Sequence, residues 1–224
     1  MNPFLTWMLQ RWRALPRRTR TALSAVAAGI AIRVGVQLAI QVAPRITPPA
    51  LSFLLHSPPR RRYRMQARSW APLRLRPGLR VLEIGSGTGA WTGILAGGVA
   101  PDGMVCSIEL QRAMLKQHVS SIAHAGVTNM HLHQADALQL PFAADSFDRA
   151  VMIAVLPMLP DKQRALSEVR RVLKRDGLLL VSEDLIEPEY VPPSITRRWG
   201  RRAGFEHVAT HRTLWFYSVV FRPA

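Results

Sequence analysis

From about residue 79 onward, short unbroken apolar runs alternate with longer stretches in which apolar and polar positions are mixed. The first kind reads as buried strand and the second as surface helix. "LRVLEI" is a strand, followed by a glycine-rich turn and a helix that Gly93, Gly97 and Gly98 keep short. "MVCSIE" is a second strand, and residues 111–124 form a helix that stops near Gly126. "MHLHQAD" and "FDRAVMIAV" come next as strands. A helix over 161–174 starts at Asp161 and ends at "RDG", with Lys174 and Arg175 near its negative end. "LLLVSE" is the next strand. This alternation predicts an α/β domain with a mostly parallel sheet and helices on both faces. The tail breaks the rhythm: "FEHVATH" and "LWFYSVVF" stand about two residues apart, which predicts a terminal antiparallel pair.

The earlier part of the chain is patterned differently. Residues 21–43, "TALSAVAAGIAIRVGVQLAIQVA", are long enough to cross a bilayer core at about 1.5 Å per residue. Arg33, Gln37 and Gln41 recur at intervals of four, so they fall along one side of a helix. An arginine near the bilayer centre costs roughly 2.5–3.5 kcal/mol. Three arrangements are compatible with this pattern: a transmembrane helix with Arg33 snorkelling or facing protein, a helix lying in the interface with its polar stripe outward, or a soluble helix in an oligomer. Ahead of it, "FLTWMLQRWRAL" sets Trp7 and Trp12 among arginines, which suits a headgroup region. "PRITPP" and "HSPPRRR" interrupt regular structure and read as a linker. The expected division is a basic membrane-anchor region over 1–57 and a catalytic domain over 58–224.

Charge sharpens that division. The formal net charge is +16, yet residues 1–80 hold fifteen arginines and no acidic residue, while residues 81–224 balance to +1. An anionic surface, membrane lipid or nucleic acid, is the expected neighbour of the N-terminal region. The single cysteine, Cys106, excludes an intramolecular disulfide and a cysteine-based metal cluster.

Chemistry concentrates after the first strand. "VLEIGSGTGAW" gives Gly85, Gly87 and Gly89, with Ser86 and Thr88 between them. Glycines there let the backbone turn sharply and approach a ligand closely. The loop lacks the G-K-[ST] ending of a phosphate-binding P-loop, which argues against nucleotide hydrolysis. Ala90 occupies the third place of a dinucleotide fingerprint, a permitted variant, so the loop alone does not decide the ligand. Two carboxylates narrow it. Glu109 ends the second strand, where it can accept from both ribose hydroxyls of an adenosine-containing cofactor. Asp136 ends the third strand, where it can accept from the adenine amine. Ligands of open α/β sheets bind at such carboxyl strand ends.

With "VLEIGSGTG", "IEL" around Glu109, "QADALQLPFAADSFDRAVM" and "EVRRVLKRDGLLLVSE", the sequence resembles the class I S-adenosylmethionine-dependent methyltransferases. The likeness is strongest to their type 11 branch, which includes quinone-biosynthesis and small-molecule or lipid enzymes, and it covers roughly residues 63–221. It implies a Rossmann-like seven-stranded sheet whose last two strands are antiparallel. It also implies S-adenosyl-L-methionine as cofactor, with Gly85, Gly87 and Gly89 along its methionine and ribose portion. Glu83 would support the loop and face the methionine ammonium. Glu109 would take the ribose hydroxyls, with Leu110 against the adenine, and Asp136 and Ala137 would meet the adenine edge.

After the fourth strand this chain reads "IAVLPML", where the family often has polar or histidine-bearing residues. That departure leaves no obvious base and points to an apolar substrate pocket. Methyl transfer tolerates the gap when nucleophile and methyl are held in line, although a hydroxyl or carbon acid usually needs a base. His56, Tyr63, Tyr190, His207 and His211 are the candidates, and Trp215, Phe216 and Tyr217 read as core and pocket wall. The expected enzyme is a methyltransferase acting on a small apolar or membrane-resident, lipid- or quinone-like substrate, held at a membrane with its catalytic domain in the cytoplasm. The alternative is an RNA or DNA methyltransferase using the basic region. Against it, the chain lacks the [D/N]-P-P-[Y/F] motif of amino-directed nucleic-acid enzymes. Oligomeric state is open.

Overall fold

The computed structural model describes residues 7, 11, 12, 14–42, 70–185 and 187–224. The chain forms two compact units, Met1–Ala43 and Pro44–Ala224. Arg45, the proline-rich linker, the 57/58 boundary, His56 and Tyr63 lie outside the described residues. In the first unit, helix α1 (Arg17–Val42) contains nearly all of the expected 21–43 helix and begins four residues earlier. Among the described residues no helix is long and apolar enough to cross a membrane. The transmembrane reading therefore finds no support.

The second unit is built on one seven-stranded sheet. Its strands are β1 (Arg80–Ile84), β2 (Met104–Glu109), β3 (Met130–Gln134), β4 (Phe147–Ile153), β5 (Leu173–Asp184), β6 (Phe205–Arg212) and β7 (Phe216–Pro223). Their order is β3-β2-β1-β4-β5-β7-β6. The first five run parallel, and β7 pairs antiparallel with both β5 and β6. Helices α2 (Thr92–Val99), α3 (Arg112–Ala125), α4 (Lys162–Val172) and α5 (Pro193–Arg202) connect them.

Strand periodicity sorts side chains between two apolar layers. In β1, Leu82 and Ile84 join the layer that holds Leu166 and Val169 of α4. Val81 joins the other layer, with Leu95 and Val99 of α2 and with Trp70 and Leu73. Burying each such aliphatic side chain contributes about 1.5–3 kcal/mol, so both sheet faces need their helices. The same alternation puts Glu83 on the side of Val81. An acidic residue thereby enters the interior, with only 3% of its surface exposed.

Helix and strand boundaries match the expectation at some places and depart from it at others. Helix α3 ends as expected at Gly126, which takes a left-handed φ of 64° and donates to the carbonyls of Ala123 and Ile122. Helix α4 is capped by Asp161, whose side chain accepts from the Arg164 amide at 2.9 Å. It stops at Val172, however, and Lys174 and Arg175 lie in β5, so the charges in its last turn are Arg170 and Arg171. The β4–β5 register shifts between Phe147 and Arg149, which lets the early part of β5 pair before the apolar run begins. Helix α5, absent from the sequence expectation, lies between β5 and β6 and packs on both β6 and β7.

Candidate active site

Loop 85–89 leaves β1 at the carboxyl edge of the parallel strands, and its conformation is imposed by close packing. Gly85 has φ 67°, and a Cβ there would stand 2.6 Å from Cγ2 of Val155. Gly89 has φ 80°, and a Cβ there would stand 2.2 Å from the ring of His118. Side chains at both positions are excluded twice, by backbone conformation and by contact.

Glu109 ties this loop to the next helix. Its Oε2 accepts from the Gly87 amide at 2.9 Å and its Oε1 from the Gln111 amide at 2.8 Å. The carboxylate is thus held with both oxygens oriented, and a lone pair on each is left for further donors. Beneath the loop, Glu83 Oε2 accepts from Thr92 Oγ1 and from Ser107 Oγ, both at 2.6 Å. Burial raises the Glu83 pKa from the ordinary carboxylate value to about 7. The two hydroxyl donors pull it down, and the nearby Glu109 charge pushes it further up.

The third contributor is the segment after β3. Asp136 Oδ1 accepts from the Leu138 amide at 2.9 Å, a local turn that fixes the side chain. Glu168 and Arg171 of α4 hold residues 140–142. The Leu140 amide donates to Glu168 Oε2 at 2.9 Å, and the Arg171 guanidinium donates to the carbonyls of Leu140 and Phe142. This clamp explains why the "EVRR" stretch accompanies "LQLPF" although the two are far apart in sequence.

These three strand ends enclose a cavity of ≈ 250 Å³. Glu83, Gly85, Ser86, Gly87, Glu109, Leu110, Asp136 and Ala137 all line it. Thr88 and Gly89 do not; Thr88, itself in the loop, is buried. The wall after β4 is apolar, formed by Ile153, Ala154, Val155, Met158, Leu159 and Pro160, in agreement with the apolar character of "IAVLPML". Ala154 sits there at φ 55°, a strained conformation for alanine.

The candidate bases fall elsewhere. Tyr190 packs edge-on against Tyr217 and lines a separate cavity. His207 bonds Thr210 and contacts Phe221, and His211 lies on exposed β6. Phe216 and Tyr217 are buried as core and wall, but Trp215 is 48% exposed. Glu187 lines the main cavity and is not among the residues that the sequence singles out. Its only signal is the acidic run "EDLIEPE", which begins in the last two residues of β5. Trp91 and Met114, also in the wall, carry no local signal beyond being apolar.

Residues 81–177 match the family described as "Methyltransferase domain". The ubiquinone/menaquinone biosynthesis C-methyltransferase UbiE of Vibrio vulnificus is 38% identical over 109 residues, 48% of this chain and 42% of that protein. The demethylmenaquinone methyltransferase of Staphylococcus aureus is 37% identical over 109 residues, 49% of this chain and 44% of that protein. The chain thus spans less than half the length of the curated relatives it matches. A crystal structure of a SAM-dependent methyltransferase from Aquifex aeolicus shares the fold with a TM-score of 0.74 and 19% identity, covering 80% of this chain and 100% of that one. The [4+2]-cyclase SpnF shares it at 0.62 with 16% identity, covering 78% of this chain and 80% of that one. Fold alone therefore does not decide the reaction. Taken with the site, the match shows that residues 81–177 carry a methyltransferase domain, similar to those of quinone-biosynthesis enzymes, on a fold shared with a SAM-dependent methyltransferase, whose cofactor is S-adenosylmethionine.

The cavity suits that cofactor. It offers carboxylates at three separated strand ends with apolar wall between them, which matches a ligand bearing an ammonium, a ribose diol and an adenine amine. Glu83 also gives the domain a pH signature. The folded state retains a proton that the unfolded chain releases, so the Glu83 contribution to stability is complete below about pH 4.5 and is lost as pH rises through about 7. Glu83→Gln should flatten the melting temperature against pH across that window. A wild-type profile that rises from pH 5 to 8, with no difference in the variant, would show that Glu83 does not titrate there.

Proposed function

We propose that the protein transfers a methyl group from S-adenosylmethionine to a small apolar, quinone-like or lipid acceptor at the cytoplasmic face of a membrane. The observation that carries this reading is the apolar cavity wall of Ile153, Ala154, Val155, Met158, Leu159 and Pro160. Such a wall favours an acceptor whose bulk is hydrocarbon or aromatic. The names of the relatives point the same way, toward quinones rather than nucleic acid.

The cofactor supplies an activated methyl on a sulfonium. The chain's own residues supply placement. Glu83 with Ser86, Glu109, and Asp136 with Ala137 fix three parts of the ligand, and the apolar wall excludes water around the acceptor. Glu187 also lines the cavity and would serve as the base where the acceptor is a carbon or hydroxyl acid.

The arginine-rich N-terminal region serves as the docking element. Each basic residue near an anionic surface contributes about 1 kcal/mol, so Arg17, Arg18 and Arg20 would strengthen interfacial binding of α1 without requiring it to cross. Full-length protein, labelled-methyl cofactor and demethylmenaquinone in phosphatidylglycerol or phosphatidylcholine vesicles test both parts. Label should enter the quinone, faster on the anionic vesicles at low salt. No transfer to the quinone or any other lipid-extractable acceptor refutes the substrate reading, and label in added RNA revives the nucleic-acid alternative. Equal rates on both vesicle types refute the docking role.

A further inference from the structure

His118 lies on α3 with no exposed surface, between Ser86 of the glycine loop and Thr92 at the start of α2. Its Nδ1 is 3.0 Å from Ser86 Oγ and its Nε2 is 2.9 Å from Thr92 Oγ1. Proton directions along this chain are set by the number of donors. Thr92 has one hydroxyl proton and donates it to Glu83 Oε2 at 2.6 Å. Toward His118 the Thr92 oxygen is therefore an acceptor, so the proton of the imidazole sits on Nε2. The cost of enclosing a charge keeps a fully buried ring neutral. Nδ1 then carries a lone pair, and Ser86 donates to it. Ser107 adds a second donor to Glu83 Oε2 at 2.6 Å.

The consequence is at the cavity wall. With its only proton engaged by His118, Ser86 can meet a ligand solely as an acceptor. Ser86 and Glu83 line the same cavity, so two acceptors stand together there, and above about pH 7 one of them is a carboxylate. We propose that His118 is a positioning residue that, through the ordered chain Ser86–His118–Thr92–Glu83, makes this corner an acceptor pair for a cationic ammonium group and so sets recognition of the cofactor's amino-acid end. The inference rests on S-adenosylmethionine being the ligand of this cavity.

The test uses the full-length protein and two ligands, S-adenosylhomocysteine and 5′-methylthioadenosine, the second lacking the amino-acid end. Calorimetry of His118→Leu should show S-adenosylhomocysteine binding weakened at least about tenfold, with 5′-methylthioadenosine changed by less than about threefold, because one ordered hydrogen bond to a charged group is lost on one ligand only. His118→Gln, whose amide offers one acceptor and one donor, should recover part of the loss. Retained methylthioadenosine binding also shows that the variant is folded. Nitrogen-15 NMR of the wild type should show the neutral Nε2–H tautomer. Equal losses for both ligands, no loss for either, or an imidazolium signal overturns the proposal. A wild type that binds neither ligand overturns the cofactor assignment itself, which is a distinguishable result.

Discussion

Alanine at position 89 is expected to weaken cofactor binding by at least about a hundredfold and to lower the melting temperature by about 5–15 °C. Two independent penalties act together. The backbone at Gly89 has φ 80°, where a side chain carries roughly 1–3 kcal/mol of strain. The added Cβ would also lie 2.2 Å from Cδ2 and 2.5 Å from Nε2 of His118. The ring has no cheap escape, because both nitrogens are engaged and the side chain is fully buried. Displacing it breaks the contacts to Ser86 and Thr92, and through Thr92 disturbs Glu83, so loop and cavity change together. The mechanism has a specific signature in the double variant Gly89→Ala, His118→Ala. Removing the ring relieves the contact but not the φ strain, so the two stability losses should fall short of additive by about 0.5–3 kcal/mol. Thermal melts and calorimetry of the four proteins decide it. A Gly89→Ala variant with wild-type melting and affinity would show that the loop is not held by His118.

Much of this architecture is legible in the sequence where a local rule suffices. The apolar runs of β1, β2 and β4 and the helix stop at Gly126 depend on periodicity and on one left-handed residue. Glu109 ends β2 as its place in the apolar run predicts, whereas β3 stops at Gln134 and leaves Asp136 two residues beyond the strand end it was expected to occupy. Helix α5 escapes such rules because it opens on paired prolines and carries Arg197, Arg198, Arg201 and Arg202 with few apolar residues, a composition that reads as loop. Its stability comes from packing on β6 and β7, which no window of sequence reveals. Lys174 and Arg175 look like a helix terminus because basic residues suit one. Tertiary pairing of β5 with β4 overrides that preference. His118 is invisible in the sequence for a related reason. Between Gln117 and Val119 it resembles any polar helix residue, and its partners Ser86 and Thr92 lie 32 and 26 residues away. The distant pairing also explains why Glu83 can be placed from its strand but its hydroxyl and imidazole surroundings cannot.

Glu109→Gln should lower cofactor affinity by about five- to a hundredfold with the sheet intact, and Glu109→Ala should lower it further. The carboxylate receives the Gly87 amide on Oε2 and the Gln111 amide on Oε1. A glutamine offers one oxygen, so whichever way the amide is turned, its NH₂ group confronts a backbone N–H that has lost its acceptor. The cost of one such buried donor is about 1–3 kcal/mol, and it falls on the loop that must approach the cofactor. Alanine leaves both N–H groups without the acceptor. The strand itself should survive, since Glu109 is its last residue and contributes no apolar surface to either layer. A second comparison separates support of the loop from contact with the ligand. If the remaining lone pairs take the ribose hydroxyls, wild type should discriminate strongly between S-adenosylhomocysteine and its 2′,3′-dideoxy analogue, and Glu109→Gln should discriminate less. Undiminished discrimination in the variant would restrict Glu109 to holding Gly87 and Gln111, and full affinity in the variant would remove it from the site altogether.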